Sequence, residues 1–338
     1  MTARPRAVFA MPPELPGRLF APDDLTALRA LVDLVPQPAA SGFERDDLGD
    51  VAVLITGWGA PRVDASALER LPALVHVAHT AGSVKSFLDP VLWERGIIVT
   101  SAAAANAVPV AEFTLGWILL AGKATPAAAE TYFRTRTTSW SSPQEYAGPA
   151  FTRAGNYRKV VGIIAASSIG RLVLELLRPF DFEVLLYDPY VTDADAAALG
   201  ARKTELTELF ARSDIVSLHA PDLPSTQGLV TRELLASLPT GATFINTARP
   251  ALVDQAGLVD VLREGRHRAI LDVTTPEPLP ADDPLWTLPN VTLTPHWAGS
   301  QGLELHRMGR MAVDAIADVL AGRRPCGEVT AAMLATMA

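Results

Sequence analysis

Short apolar runs alternate with helical stretches along almost the whole chain, and this alternation restricts the fold more than any other feature. Runs at Arg6–Ala10, Val51–Thr56, Val75–His79 and Ile97–Ser101 read as strands. Pro22–Leu34 and Val84–Arg95 between them read as helices, the second stopped by Gly96. A second series follows at Lys159–Ile164, Glu183–Tyr187, Asp214–Leu218, Thr243–Asn246, Arg268–Val273 and Val291–Thr294. These runs are apolar on both faces, as strands of a covered parallel sheet must be. Six of them with intervening helices predict a doubly wound dinucleotide-binding sheet.

Three segments fall outside the two series. Val108–Lys123 reads as a long helix; its most apolar part, Val108–Ala121, is interrupted by Pro109, Glu112 and Gly116 and is read as buried, too short to span a bilayer. Thr135–Gly155 is polar and irregular, the character of a functional or interface loop. An amphipathic helix closes the chain from about Gln301 to Leu320.

At 338 residues the chain exceeds one ordinary core and predicts two domains. A formal charge of −8 argues against nucleic acid or an anionic membrane as partner. The single cysteine, Cys326, and the lack of a signal-like apolar segment at the start predict a cytoplasmic, soluble protein. His76 and His79 lie three apart on one strand and so point to opposite faces, and no metal-binding spacing is visible.

Val160 to Gly170 reads as strand, tight turn and helix start, the layout of a dinucleotide fingerprint. Its three glycine positions are Ala165, Ser167 and Gly170, so only the third is glycine. Asp188, at the end of the next strand, is placed to accept from ribose hydroxyls and to repel a 2′-phosphate, favouring NAD over NADP. Ser167 has a hydroxyl to offer the phosphate in return for the lost glycine.

Three further segments end strands of the second series: Phe244–Arg249, Leu271–Pro278 and Leu293–Gly299. With Ser213–Pro221 and Asn106–Glu112, in this order and spacing, the chain resembles the D-isomer-specific 2-hydroxyacid dehydrogenase family over most of its length. The resemblance implies an α/β fold of two Rossmann-like lobes, a doubly wound cofactor domain (106–299) inserted into a flavodoxin-like substrate domain (1–105 and 300–338). It implies an NAD-dependent enzyme moving a hydride to or from C2 of a small 2-keto or 2-hydroxy acid, closing by a hinge, and forming a homodimer with Thr135–Gly155 as the interface arm.

The same resemblance places catalysis on Arg249, Glu277 and His296. Arginine's planar fork suits a carboxylate and the C2 oxygen, histidine exchanges a proton near neutral pH, and a neighbouring carboxylate favours the imidazolium. Substrate binding falls on Ala81, Gly82, Ser83, Lys85 and Asn106, where Ser83 and Lys85 depart from the usual glycine and aspartate; a helix N-cap is the other reading of Asn106. Cofactor binding falls on Ser167, Ser168, Ile169, Gly170, Asp188, His219, Pro221, Thr226, Thr247 and Asp272. Pro250 and Trp297, beside Arg249 and His296, mark a divergent member. Two rival readings are an NAD(H)-sensing binding protein, prompted by the altered phosphate turn, and a reductase of a dianionic 2-keto acid such as a phosphonate, prompted by Lys85 with His79.

Overall fold

The computed structural model describes residues 4–36 and 39–335. The chain divides into two compact units, Met1–Ala107 with Ser300–Ala338, and Val108–Gly299. Each is a parallel sheet carrying helices, as βαβ connectivity requires.

The first unit holds β1 (Arg6–Ala10), β2 (Asp33–Leu34), β3 (Val51–Thr56), β4 (His76–His79) and β5 (Ile98–Ser101), in the order β2-β1-β3-β4-β5. That is the flavodoxin-like order. Two expected helices are shorter than their sequence suggests. Pro22–Leu31 ends where Val32 turns extended and Asp33 donates to the Pro5 carbonyl, which makes β2. Only Val91–Glu94 of the expected 84–95 helix is α-helical. Pro90 disfavours a helical Asp89, and Val63 draws Phe87 and Asp89 into backbone hydrogen bonds of 2.8 and 3.1 Å.

The second unit holds β6 (Val160–Ile164), β7 (Glu183–Tyr187), β8 (Arg202–Lys203), β9 (Ile215–Leu218), β10 (Thr243–Asn246), β11 (Arg268–Leu271) and β12 (Val291–Leu293). Its order, β12-β11-β10-β9-β6-β7-β8, is doubly wound about β6 and β9. Seven strands stand where six were expected; β8 is two charged residues at the sheet edge and carries no apolar signal.

Alternation along the strands fills both faces. Ile164, Leu185, Val216, Phe244 and Leu271 enter one core, and Ile163, Leu186, Ile215, Ile245 and Ile270 the other. The long helix runs over Ala103–Gly122, with Pro109 inside it. It is longer than the sequence reading allowed, and by length and composition it is the one helix among the described residues that meets the requirement for crossing a membrane. Ala111, Ile118 and Ala121 are buried in the second unit's core. Thr125–Thr135 is a further helix, and 3₁₀ turns at Pro143–Tyr146 and Pro149–Phe151 follow. At the end of the chain Gly302–Glu304 is a 3₁₀ turn and Leu305–Leu320 the α-helix.

Candidate functional site

In an open parallel sheet the carboxyl ends of the strands face the ligand crevice. The second unit brings two groups of residues to those ends.

The first group follows β6. Ala165 takes φ +75°, the left-handed conformation that the first glycine of a dinucleotide turn supplies, and a methyl group is carried there at some strain. Ser167 is the N-cap of the helix Ser168–Leu177, its hydroxyl accepting from the Gly170 amide at 3.2 Å. A Cβ on Gly170 would lie 2.0 Å from the Ala165 carbonyl oxygen, so glycine is required for the helix to sit this close to the turn. The helix start leaves the Ser168 and Ile169 amides outside its own ladder, an anion-binding arrangement. Asp188 stands beside the turn, accepting from the Ala166 and Tyr190 amides at 2.8 Å each. A close-packed glycine, an open helix N-terminus and a carboxylate after the next strand together fit a dinucleotide.

The second group follows β10, β11 and β12. Asn246 ends β10 and folds the next turn: its Oδ1 accepts from the Ala248 amide and its Nδ2 donates to the Arg249 carbonyl. Arg249 then leads into a 3₁₀ turn that starts at Pro250, where a missing N–H is harmless. One guanidinium nitrogen, Nη1, donates to the Ala248 carbonyl at 2.8 Å. After β11, the loop bearing Glu277 is fastened by Gln255, whose Nε2 donates to the Thr275 carbonyl and whose Oε1 accepts from the Thr275 amide. After β12, His296 adopts φ +54° and sets its Nδ1 2.8 Å from Glu277 Oε1. Both side chains are about half exposed and so can meet a ligand.

Residues 119–298 match the family described as D-isomer specific 2-hydroxyacid dehydrogenase, NAD binding domain. The chain belongs to this family. A D-3-phosphoglycerate dehydrogenase of Mycobacterium bovis is 35% identical over 303 residues, 88% of this chain and 55% of that protein. The chain therefore spans about half the length of the first curated relatives it matches. A glyoxylate reductase of Thermofilum pendens is 33% identical over 267 residues, 78% of this chain and 77% of that one. Among solved structures, the TT0316 protein of Thermus thermophilus superposes with a TM-score of 0.75 at 29% identity, covering 96% of this chain and all of that one.

Within this dehydrogenase-family site several side chains expected at the cofactor also hold protein partners. Asp272 is almost wholly buried, and its carboxylate accepts from Thr294 Oγ1 at 2.5 Å, the Trp297 amide at 2.7 Å and the Ala298 amide at 3.0 Å. Its carbonyl accepts from the His296 amide at 3.0 Å. Asp272 thus clamps the His296 loop. The His219 imidazole is enclosed, its Nε2 2.9 Å from Ser217 Oγ, and burial pushes it down to about 3. Thr226 staples the loop after β9, donating to the Pro221 carbonyl, and Thr247 Oγ1 is 3.0 Å from Thr114 Oγ1. Sequence reading missed Gln255 and Asn246 as supports. An Asn at a strand end before a turn is a signal for the second, whereas nothing local marks the first.

In the first unit, Ala81, Gly82, Ser83 and Lys85 form the turn after β4, with Ser83 Oγ accepting from the Lys85 amide at 3.5 Å. Asn106 is no N-cap: the helix starts upstream at Ala103, and Asn106 Oδ1 accepts from the Ser300 amide at 2.9 Å. His79 is buried against Phe87 and Thr56, and burial holds it down to about 4. A neutral, enclosed imidazole adds no positive charge beside Lys85.

Proposed function

We propose that this chain interconverts a small 2-keto acid and its D-2-hydroxy acid, with NAD as redox partner. The carrying observation is the His296 Nδ1–Glu277 Oε1 contact of 2.8 Å at the carboxyl ends of the strands. NAD, when bound, supplies or accepts the hydride at C2. The remaining work falls to the chain. Glu277 fixes the imidazole through Nδ1, leaving Nε2 to exchange a proton with the C2 oxygen. Arg249 commits Nη1 to a backbone carbonyl, and its other donors serve the substrate carboxylate and C2 oxygen. The Ser168 and Ile169 amides with Gly170 hold the diphosphate, and Asp188 the ribose.

For the first unit the proposal is narrower. The turn from Ala81 to Lys85 contributes to substrate binding, to be read as a rise in KM for Ser83→Pro. Lys85→Ala, assayed on mono- and dianionic acids, tests the dianion reading: equal losses on both count against it. Homodimer formation is proposed through the second unit, supported by Phe133 and Trp140, 88% and 85% exposed in and after the helix Thr125–Thr135. Sedimentation of a Phe133→Ser, Trp140→Ser variant is expected to show monomer; an unchanged dimer refutes that interface. One exposed free cysteine, Cys326, suits a cytoplasmic setting.

The activity test is direct. The purified protein is incubated with NADH and a panel of 2-keto acids, following loss of reduced-nicotinamide absorbance. Turnover of at least one acid is expected. Measurable NADH binding with no turnover on any acid overturns the enzyme reading in favour of a nicotinamide sensor.

A further inference from the structure

The amino ends of β6 and β9 lie at the opposite end of the second unit's strands from the carboxyl-end residues described above. A cleft of about 370 Å³ opens there, lined by Arg153, Tyr157, Arg158, Lys159 and Asp214. It is shallow and broadly open to solvent. Lys159 and Asp214 are buried residues immediately before the two strands. Lys159 Nζ donates to the Arg153 carbonyl and lies 3.4 Å from Asp214 Oδ1. The Gly155 amide donates to the Gly122 carbonyl at 2.7 Å, and the Arg158 amide to the Asp181 carbonyl at 2.9 Å.

The charges in this cleft do not balance. Three cations face one carboxylate, and that carboxylate is already committed. Asp214 Oδ1 is shared by Arg153 and Lys159, and Oδ2 accepts from the Val160 amide at 2.9 Å. The Arg158 guanidinium sits 5.5 Å from the Tyr157 ring centroid and has no acidic partner among the described residues. A fourth cation stands nearby. Arg268, first residue of β11, lies outside the cleft lining, donates from Nη2 to the Ala121 carbonyl at 3.1 Å, and adds its field at Lys159. Burial chiefly lowers the Lys159 ammonium, and the fields of Arg153 and Arg268 add to that effect against the opposing pull of Asp214. Clustered cations with committed or absent acidic partners favour binding of an anion.

We infer that this cleft is a binding site for a phosphate-class dianion, inorganic phosphate or a small phosphomonoester, separate from the dehydrogenase site. Arginine presents planar donors that match phosphate oxygens, and Arg158 is the one least committed to protein partners. The Tyr157 ring, largely exposed beside it, offers an apolar wall to the organic part of an ester.

The test is a thermal-shift and calorimetric titration of the intact protein with inorganic phosphate, with glycerol 3-phosphate and with chloride at matched ionic strength. Arg158→Gln is run in parallel; Arg158 is exposed, so its loss leaves the core untouched. A saturable response to phosphate or the ester in the wild type, weakened at least about tenfold in Arg158→Gln, supports the site. Restoration of most of that affinity by Arg158→Lys supports charge as its basis. A stronger response to the ester than to free phosphate assigns the organic ligand, and the reverse assigns the free ion. No saturable response, an equal response to chloride, or an Arg158→Gln titration matching wild type overturns the proposal. None of these readouts depends on 2-keto acid turnover.

Discussion

Asp272→Asn separates two uses of one carboxylate. In the structure the Asp272 side chain accepts three hydrogen bonds, two of them from the Trp297 and Ala298 amides, and its carbonyl accepts from the His296 amide. Removing the carboxylate altogether would strand two backbone donors at about 1–3 kcal/mol each, roughly 4 kcal/mol in total. Asparagine keeps one acceptor oxygen but turns an NH₂ toward the other donors, so about half of that, roughly 2 kcal/mol, is expected. His296 sits at φ +54°, a conformation that persists only while its surroundings enforce it. Loosening the clamp therefore misplaces the imidazole. If the loss of about 2 kcal/mol falls on the reacting geometry, kcat drops about 30-fold. NADH affinity, followed by fluorescence titration, should change less than about threefold, since the carboxylate is spent on the loop. The reverse pattern, normal kcat with much weaker NADH binding, would make Asp272 a cofactor contact and refute its role as a positioning residue.

Other expectations follow from single contacts. Gly170→Ala puts a Cβ 2.0 Å from the Ala165 carbonyl oxygen, so the helix must shift; a loss of about 2 kcal/mol in stability and at least about tenfold weaker NADH binding are expected, and wild-type values in both would refute the close-packing argument. Ala165→Gly relieves a left-handed alanine at φ +75° and should not weaken NADH binding; a clear loss would contradict the strain assigned there. Acid should destabilise the first unit steeply. His76 and His79 are neutral when folded, burial holding each down to about 4 against an ordinary 6.5. The unfolded chain therefore binds protons first, so their stability is complete above pH 6.5 and is lost as the pH falls toward 4. At about 1.4 kcal/mol per pH unit for each imidazole, the pair withdraws roughly 4 kcal/mol by about pH 5, or about 10 °C in Tm. A Tm unchanged between about pH 7.5 and pH 5 would contradict their buried neutral state.

Much of the fold is readable because strands such as Ile163–Ile164 and Phe244–Ile245 fill two cores at once, and that demand leaves a continuous apolar run in the sequence. Arg202–Lys203 and Asp33–Leu34 escape notice because an edge strand of two residues needs backbone partners but no buried side chains. The false helix over 84–90 has the same origin. Its residues look helical until Val63, distant in sequence, offers the backbone a better partner. At the site, Arg249, Glu277 and His296 come from the family resemblance carried by Phe244–Arg249, Leu271–Pro278 and Leu293–Gly299. The supports do not show, because Gln255 reaches Thr275 and Asp272 reaches Trp297 through a loop geometry that only the folded backbone creates.

The central claim is that His296, held by Glu277, exchanges the proton while hydride moves at C2. The most direct measurement is single turnover of a productive 2-keto acid by wild type and by His296→Ala, each with NADH bound to saturation. The account predicts loss of at least about a thousandfold in the reduction rate, with NADH affinity nearly unchanged. A His296→Ala variant that reduces the acid at close to the wild-type rate would contradict it.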